Sequence, residues 1–365
     1  MTVLLTFSII IPCFNQGQFL DDSIFSLISQ SYTNWEAIIV NDGSTDKTVE
    51  IADKWIKKDS RIKLVSQSNN GLSSARNSGI EFSSGEYIAL LDADDKYEKD
   101  HLLSLLPFFQ QGCDVVFTGY SYFSSTKAIN HSVRLNKSIN FDQILHGNIV
   151  PPVAVAFKRS IIQISGGFDE SLNSAEDWDL WIRFYKIGAS LSISEDPTVH
   201  YRISDNSMSR QFLTMYKSLK HVSMQAYDID TRISTQHLLN KNLPITPFDS
   251  IKKHLLLCLG VGILQNKKSI AIDLLKQEMN AFQLSFNYCD FRYLCSYLSF
   301  RYHVSRQDLN WVFSTLYPQF HDFFTELNLP GLNIEKAMNE VFSIHMKQSV
   351  KQKWGFLSPI VNRFS

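Results

Sequence analysis

Tyr87-Ile88-Ala89-Leu90-Leu91-Asp92-Ala93-Asp94-Asp95 is an apolar run that ends in three carboxylates. A strand without polar alternation is covered on both faces, which places it inside a parallel sheet with helices on each side. Its acids then lie at the carboxyl end of that sheet, where ligands bind in open α/β folds. Outward from it, Phe7-Ser8-Ile9-Ile10-Ile11 reads as a strand, and Phe19, Leu20, Ile24, Leu27 and Ile28 follow at helical spacing. Residues 35–40 give a second strand ending in the Asp42-Gly43 turn, 62–65 a third, and 48–56 and 72–82 read as helices. Past residue 110 the pattern is mixed, with strands at 115–118, 153–157 and near 198–201 and a helix at 176–187, which continue the same sheet. Beyond Met208 strand signals nearly vanish, and 212–227, 250–265, 269–286, 292–302 and 334–346 have helical spacing. The expectation is an α/β domain over residues 1–210, a mostly parallel sheet flanked by helices, followed by an all-α domain over 211–365.

The chain has 365 residues, 44% hydrophobic and 13% aromatic, enough apolar bulk for two cores and far from any disordered or fibrous composition. Its 35 basic and 36 acidic side chains nearly cancel, but residues 1–205 are net acidic and 206–365 net basic. The acidic half argues against a nucleic-acid cleft and suits a site that gathers divalent cations; the basic half could meet anionic lipid, a phosphate-bearing substrate or a partner protein, or simply be solvated. Five scattered cysteines without a Cys-x-x-Cys fit a reducing, cytoplasmic setting. The N-terminus lacks a positive region and Pro12 cuts its apolar run, so no signal peptide is expected. The ten apolar residues 255–264 fall short of the roughly 20 that a membrane span needs.

The strand-end loops read Pro12-Cys13-Phe14-Asn15, Asn41-Asp42-Gly43-Ser44 and Asp92-Ala93-Asp94-Asp95. No glycine-rich dinucleotide fingerprint or P-loop follows any strand. Asp92 and Asp94, two apart on extended chain, point to one side and suit Mg²⁺ or Mn²⁺; the alternative is that they cap the next helix. Glu176-Asp177-Trp178-Asp179 opens a helix, where a carboxylate could act as general base. Ser174-x-x-Asp177 equally has the form of a capping box, and the helix dipole would keep Asp177 ionised. Arg76, on a helix whose start faces the same strand ends, could meet a phosphate or a base edge, or be an ordinary exposed arginine. His200, beside Tyr201-Arg202, is either a metal ligand or a structural histidine.

In order, Ile9-Ile10-Ile11-Pro12-Cys13-Phe14-Asn15, Ile39-Val40-Asn41-Asp42-Gly43-Ser44-Thr45-Asp46, Gly71-x-x-x-Ala75-Arg76-Asn77-x-Gly79, Leu91-Asp92-Ala93-Asp94-Asp95, Gly166-Gly167-Phe168-Asp169-Glu170 and Glu176-Asp177-Trp178-Asp179-Leu180-Trp181-Ile182-Arg183 resemble glycosyltransferase family two over residues 7 to about 210. The resemblance implies a GT-A fold, a nucleotide-sugar donor with UDP favoured, Mn²⁺ or Mg²⁺, and a single displacement that inverts the anomeric carbon. It places Pro12, Phe14 and Asn15 along the nucleotide, Asp42 on the base, Arg76 on the nucleotide, Asp92 on the ribose and Asp94 on the metal. Asp177 becomes the base that deprotonates the acceptor hydroxyl, with Glu176, Trp178 and Trp181 shaping the acceptor side. Family members often carry a metal-binding His two positions after a Tyr-Arg pair, where this chain has Ser204; His200 is the nearby substitute. The acceptor expected is a surface polysaccharide, glycoprotein glycan or glycolipid. Two rivals are a sugar nucleotidyltransferase, which should carry a basic glycine-rich loop after the first strand, and a catalytically impaired nucleotide-sugar-binding or scaffold protein on the same fold. Residues 345–365, basic and aromatic without an acid, have the composition of an interfacial anchor, which would put the protein at the inner face of a membrane; such an end can also pack on its own domain or fray.

Overall fold

The computed structural model describes residues 5–124, 131–203, 211–234, 236–244, 246–294 and 316–342. Ser204, the end at 345–365 and most of the expected 292–302 helix lie outside them. The chain divides into two compact units, residues 1–205 with 221–245 and residues 206–220 with 246–365. The segment 221–245, inside the boundaries expected for the helical domain, clusters with the first unit.

The first unit is built on one sheet. Strands β1 (Phe7–Cys13), β2 (Trp35–Asp42), β3 (Ile62–Gln67) and β4 (Tyr87–Leu90) are parallel in the order β3-β2-β1-β4, crossed over by α1 (Gly17–Ile28), α2 (Thr48–Ile56) and α3 (Leu72–Phe82). Every residue of β1 and β2 is buried, as their unbroken apolar runs require. Central β1 sets Ile10 opposite Ile38 on one side and Leu90 on the other. Helix α3 lies close against this layer because position 79 has no side chain: a Cβ there would come within 2.5 Å of Ile10 Cγ2.

β5 (Lys96–Tyr97), α4 (His101–Gln110), β6 (Val115–Phe123), β7 (His131–Val133), α5 (Phe141–Leu145), β8 (Val155–Lys158), α6 (Arg159–Ser165), α7 (Glu176–Lys186) and β9 (Leu191–Arg202) complete the unit. The sheet continues β4-β8-β6-β9-β5, with β7 beside β6. β8 runs antiparallel to β4 and β6, and β9 parallel to β6 with a shifted register around Gly119. The mixed pattern after residue 110 is thus a continuation of the same sheet, as expected, and the whole is a GT-A-type mostly parallel sheet flanked by helices.

The second unit is helical. α9 (Phe248–Leu264), α10 (Lys268–Phe282) and α11 (Tyr317–Leu327) bury Leu255, Leu259, Leu275, Phe320 and Phe324. Helix α8 (Phe212–Ala226) begins in this unit, where the Tyr216 hydroxyl donates to Glu278 at 2.7 Å. Among the described residues no helix is long and apolar enough to cross a membrane.

Candidate active site

Pro12 belongs to β1 and is buried, not in the loop where the family pattern placed it. The missing N–H is tolerated because β4 stops pairing with β1 at Ile10, so Pro12 faces only Val40 of β2. The loop proper starts at Phe14, which is exposed, and Asn15, which has a left-handed backbone at φ 53°. Asn15 ties this loop to the one after β2: its N–H donates to Ser44 Oγ at 3.0 Å and its Oδ1 accepts the Thr45 N–H at 2.8 Å. Asp46 joins the starts of α1 and α2 by accepting the N–H groups of Gly17 at 2.9 Å and Thr48 at 3.0 Å.

Asp42, at the end of β2, is buried and firmly held. Its Oδ1 accepts from Gln67 Nε2 at 2.8 Å and the Asn70 N–H at 2.9 Å, and its Oδ2 accepts the Gly71 N–H at 2.9 Å. Gln67 is held in turn by Ser78, whose hydroxyl donates to its Oε1 at 2.6 Å. A carboxylate pinned by three donors keeps about one lone-pair site free, held in a fixed direction, which is what reading an N–H on a base edge needs.

The site's centre is Arg76. Its side chain is wholly buried, so it is neither an exposed helix arginine nor, as placed here, a direct arm to a nucleotide. Nη2 donates to Asp92 Oδ1 at 2.9 Å and Nη1 to Glu176 Oε1 at 2.5 Å. One guanidinium therefore joins the acid after β4 to the acid opening α7, bringing the expected donor side and acceptor side together. Burial works against its charge, but Asp92 and Glu176 more than offset that, so it stays a cation.

Beside Glu176 lies Asp177, also buried. Its Oδ1 accepts the Trp178 N–H at 2.8 Å and its Oδ2 the Asn148 Nδ2 hydrogen at 2.6 Å. The capping-box reading fails: residue 175, not Ser174, is the N-cap, with φ 61° and no side-chain cap, and Ser174 Oγ is buried without a partner. Nor does the helix dipole prevail, because burial and the neighbouring Glu176 push the Asp177 carboxyl up to about 7 against the pull of Arg76. Such a value suits a general base near neutral pH. Glu176 is committed to Arg76 and orients that arginine.

Trp178 and Trp181 are core residues, a correction to their expected contact with an acceptor. Trp178 is fully buried with Nε1 donating to the Ile144 carbonyl at 2.6 Å; Trp181 packs among Phe117, Phe157 and Phe184. They position α7.

The acids after β4 do not cap α4, whose N-cap, Asp100, makes no side-chain cap. Asp95 Oδ1 accepts the Arg202 N–H at 2.7 Å, while its Oδ2 is buried without a partner. Burial and the Asp92 charge push Asp94 up to about 6. A crowded, under-neutralised carboxylate cluster with a buried orphan oxygen fits a divalent ion held by Asp94, with the rest of its shell left to water and phosphate oxygens. His200 does not complete that set: it pairs across β9 and β5, and its Nε2 lies 2.5 Å from Glu98 Oε1. Among the described residues no group of three or more His, Cys, Asp or Glu could hold a metal by itself.

Three contributors escaped the sequence reading. Asn77, next to Arg76, donates to the Phe168 carbonyl at 2.9 Å and accepts the Phe168 N–H at 2.9 Å, fixing the loop before α7. Arg232 binds Asp169 at 2.7 Å and Asp179 at 2.7 Å, fastening the 221–245 segment to the same loop and helix. Asn148 carries no motif; only its fold neighbours reveal it.

The model of glycosyl transferase family 2 matches residues 8–163. TuaG of Bacillus subtilis, whose name assigns it to teichuronic acid biosynthesis as a glycosyltransferase, is 32% identical over 205 residues, 55% of this chain and 81% of that protein. A Haemophilus influenzae glycosyltransferase is 37% identical over 159 residues, 43% of this chain and 64% of that protein. Among solved structures, Staphylococcus aureus TarS 1–349 in complex with UDP superposes with a TM-score of 0.52 at 17% identity, over 96% of this chain and 92% of that one, a likeness of fold. With the strand-end acids, the buried Arg76 bridge and Asp177 in place, these matches settle the assignment: the chain belongs to glycosyltransferase family 2 and is a glycosyltransferase enzyme.

Proposed function

We propose that the protein transfers a sugar from a nucleoside-diphosphate sugar, UDP-linked in the first instance, to a hydroxyl of a cell-surface polysaccharide, inverting the anomeric carbon. The observation that carries this is the Arg76 bridge, which sets Asp92 and Glu176 on one guanidinium with Asp177 adjoining and pushed up to about 7. Asp177 takes the proton of the acceptor hydroxyl as that oxygen bonds to the anomeric carbon. The bond from that carbon to the phosphate oxygen breaks, and the nucleoside diphosphate leaves with the electron pair. Asp42 offers an acceptor to the base's N–H, and Asp92, held by Arg76, is placed for the ribose. A divalent ion on Asp94 would supply positive charge to the departing diphosphate. The TarS complexes with UDP and UDP-GlcNAc and the teichuronic acid assignment of TuaG support the choice of donor and acceptor class. The cysteine pattern and the basic 345–365 end support a cytoplasmic site of action at the membrane's inner face.

The test is a panel of nucleotide sugars with Mn²⁺ or EDTA and candidate polysaccharide acceptors, reading released nucleoside diphosphate and the anomeric configuration of the product. One donor turned over only with metal, with release lost in Asp94→Ala and in Asp177→Asn, is the expected result. EDTA-resistant turnover would remove the metal, and full activity in Asp177→Asn the base.

A further inference from the structure

Asp177 is buried, and among the described residues the one side chain that hydrogen-bonds it comes from a different element. Asn148 sits on the loop after α5, exposed, with its Nδ2 2.6 Å from Asp177 Oδ2. The other oxygen accepts the Trp178 N–H at 2.8 Å, so two donors from separate segments fix the carboxylate. The loop is not free to wander. α5 is closed by a capping box between Asn140 and Gln143, and Trp178 Nε1 fastens its Ile144 carbonyl to α7 at 2.6 Å. The buried Trp178 thus both donates to Asp177 and anchors the element that delivers Asn148.

We propose that Asn148 is the positioning residue of Asp177, orienting its carboxylate toward the acceptor hydroxyl and favouring the ionised form that can accept a proton. This rests on Asp177 being the base. A hydrogen bond donated to a carboxylate stabilises its charged state. The charges acting on Asp177 are Glu176, which opposes ionisation, and Arg76, which favours it. α6, also packed on α7, commits its Arg159 to the Ile80 and Gly85 carbonyls. On the Asn148 loop the titratable side chain is His146.

Two measurements on the full chain test the proposal. In protein labelled with ¹³C at aspartate carboxyl carbons, the Asp177 signal is identified by its loss in Asp177→Asn and titrated in wild type, Asn148→Ala, the near-isosteric Asn148→Asp and the control His146→Gln. In parallel, the pH dependence of UDP release from UDP-GlcNAc with Mn²⁺ is recorded. The expected result is an Asp177 titration about one pH unit higher in Asn148→Ala, higher still in Asn148→Asp, and unmoved in His146→Gln. The acid limb of the rate should move with it, costing about tenfold at pH 6 and little at pH 9. An unshifted titration in both Asn148 variants, or a rate lowered equally at every pH, overturns the role of Asn148 while Asp177→Asn stays inactive. If instead Asp177→Asn keeps its activity, the base assignment itself fails and carries the proposal with it, so the two failures are told apart.

Discussion

Arg76 shows what one buried side chain can decide. Fully enclosed, it is shared between Asp92 and Glu176 and holds the two carboxylates beside each other. Removing one partner of a buried ion pair leaves the other uncompensated, at a cost of about 3–5 kcal/mol. Arg76→Met should therefore lower the unfolding free energy by that amount, read from the shift of the denaturant midpoint, and abolish turnover; a loss of activity with unchanged stability would show that the guanidinium serves the ligand rather than the fold. Asp177 behaves oppositely. Its carboxyl is raised from 3.8 to about 7, so the folded state keeps a proton that the unfolded chain releases above 3.8. Stability through this group is therefore full below pH 3.8 and declines as pH rises toward 7. Asp177→Asn should lose turnover by roughly 10²-fold or more, yet gain thermal stability over wild type at pH 8, with no gain at pH 4. Melting curves at the two pH values decide it, and a variant less stable than wild type at pH 8 would falsify the electrostatic account.

At the scale of elements, the apolar runs of β1, β2 and β4 and the helical spacing of α2 and α3 announced themselves because burial on both faces leaves no other pattern. β5 has two residues and α4 carries Pro107 in its interior, so neither has a clean period. β9 was legible only at its end, since its earlier residues include the charged Glu195 and Asp196 and then Pro197, which has no N–H to give a ladder. The site divided the same way. Carboxylates in motifs could be picked out, but Arg76's partners lie sixteen and a hundred positions away and Asn148's twenty-nine. Pairings set by a crossover and by the approach of α5 to α7 leave no local trace in a chain. The family resemblance set Trp178 and Trp181 on the acceptor side, but α7 turns both into the core. Gly79 carries an element-scale prediction. A methyl there would meet Ile10 Cγ2 at 2.5 Å and Val40 Cγ2 at 3.0 Å. Gly79→Ala should cost about 1–3 kcal/mol by overpacking. It should also push α3 off the sheet and draw Arg76, one turn earlier, away from Asp92. Activity should fall more than the loss of folded protein explains, measured as kcat per folded molecule.

Over the whole molecule, the near-zero net charge divides between an acidic half that contains the proposed donor site and a basic half. The acidic strand ends account for part of the first. For the second, the described residues give a partial answer: Lys220 is used up on Glu278 at 2.9 Å and Lys268 on Glu326 at 2.8 Å. Residues 345–365, outside the described part, hold Lys347, Lys351, Lys353 and Arg363 with no acid, among Trp354, Phe356, Leu357, Ile360 and Phe364. Cations near an anionic surface contribute on the order of 1 kcal/mol each, and apolar side chains add to this by partitioning into the headgroup region. Four such charges with aromatic company would suffice for reversible binding at low salt and fail when screened, since the Debye length shrinks to about 3 Å at 1 M. The full chain should therefore sediment with phosphatidylglycerol-containing vesicles at 50 mM salt, stay in solution with phosphatidylcholine alone, and be released at 1 M. Substituting the four cations by Gln should abolish binding while leaving turnover of a soluble acceptor intact. Binding that survives both high salt and those substitutions would locate the contact elsewhere, and no binding at low salt would leave the basic end as solvated surface.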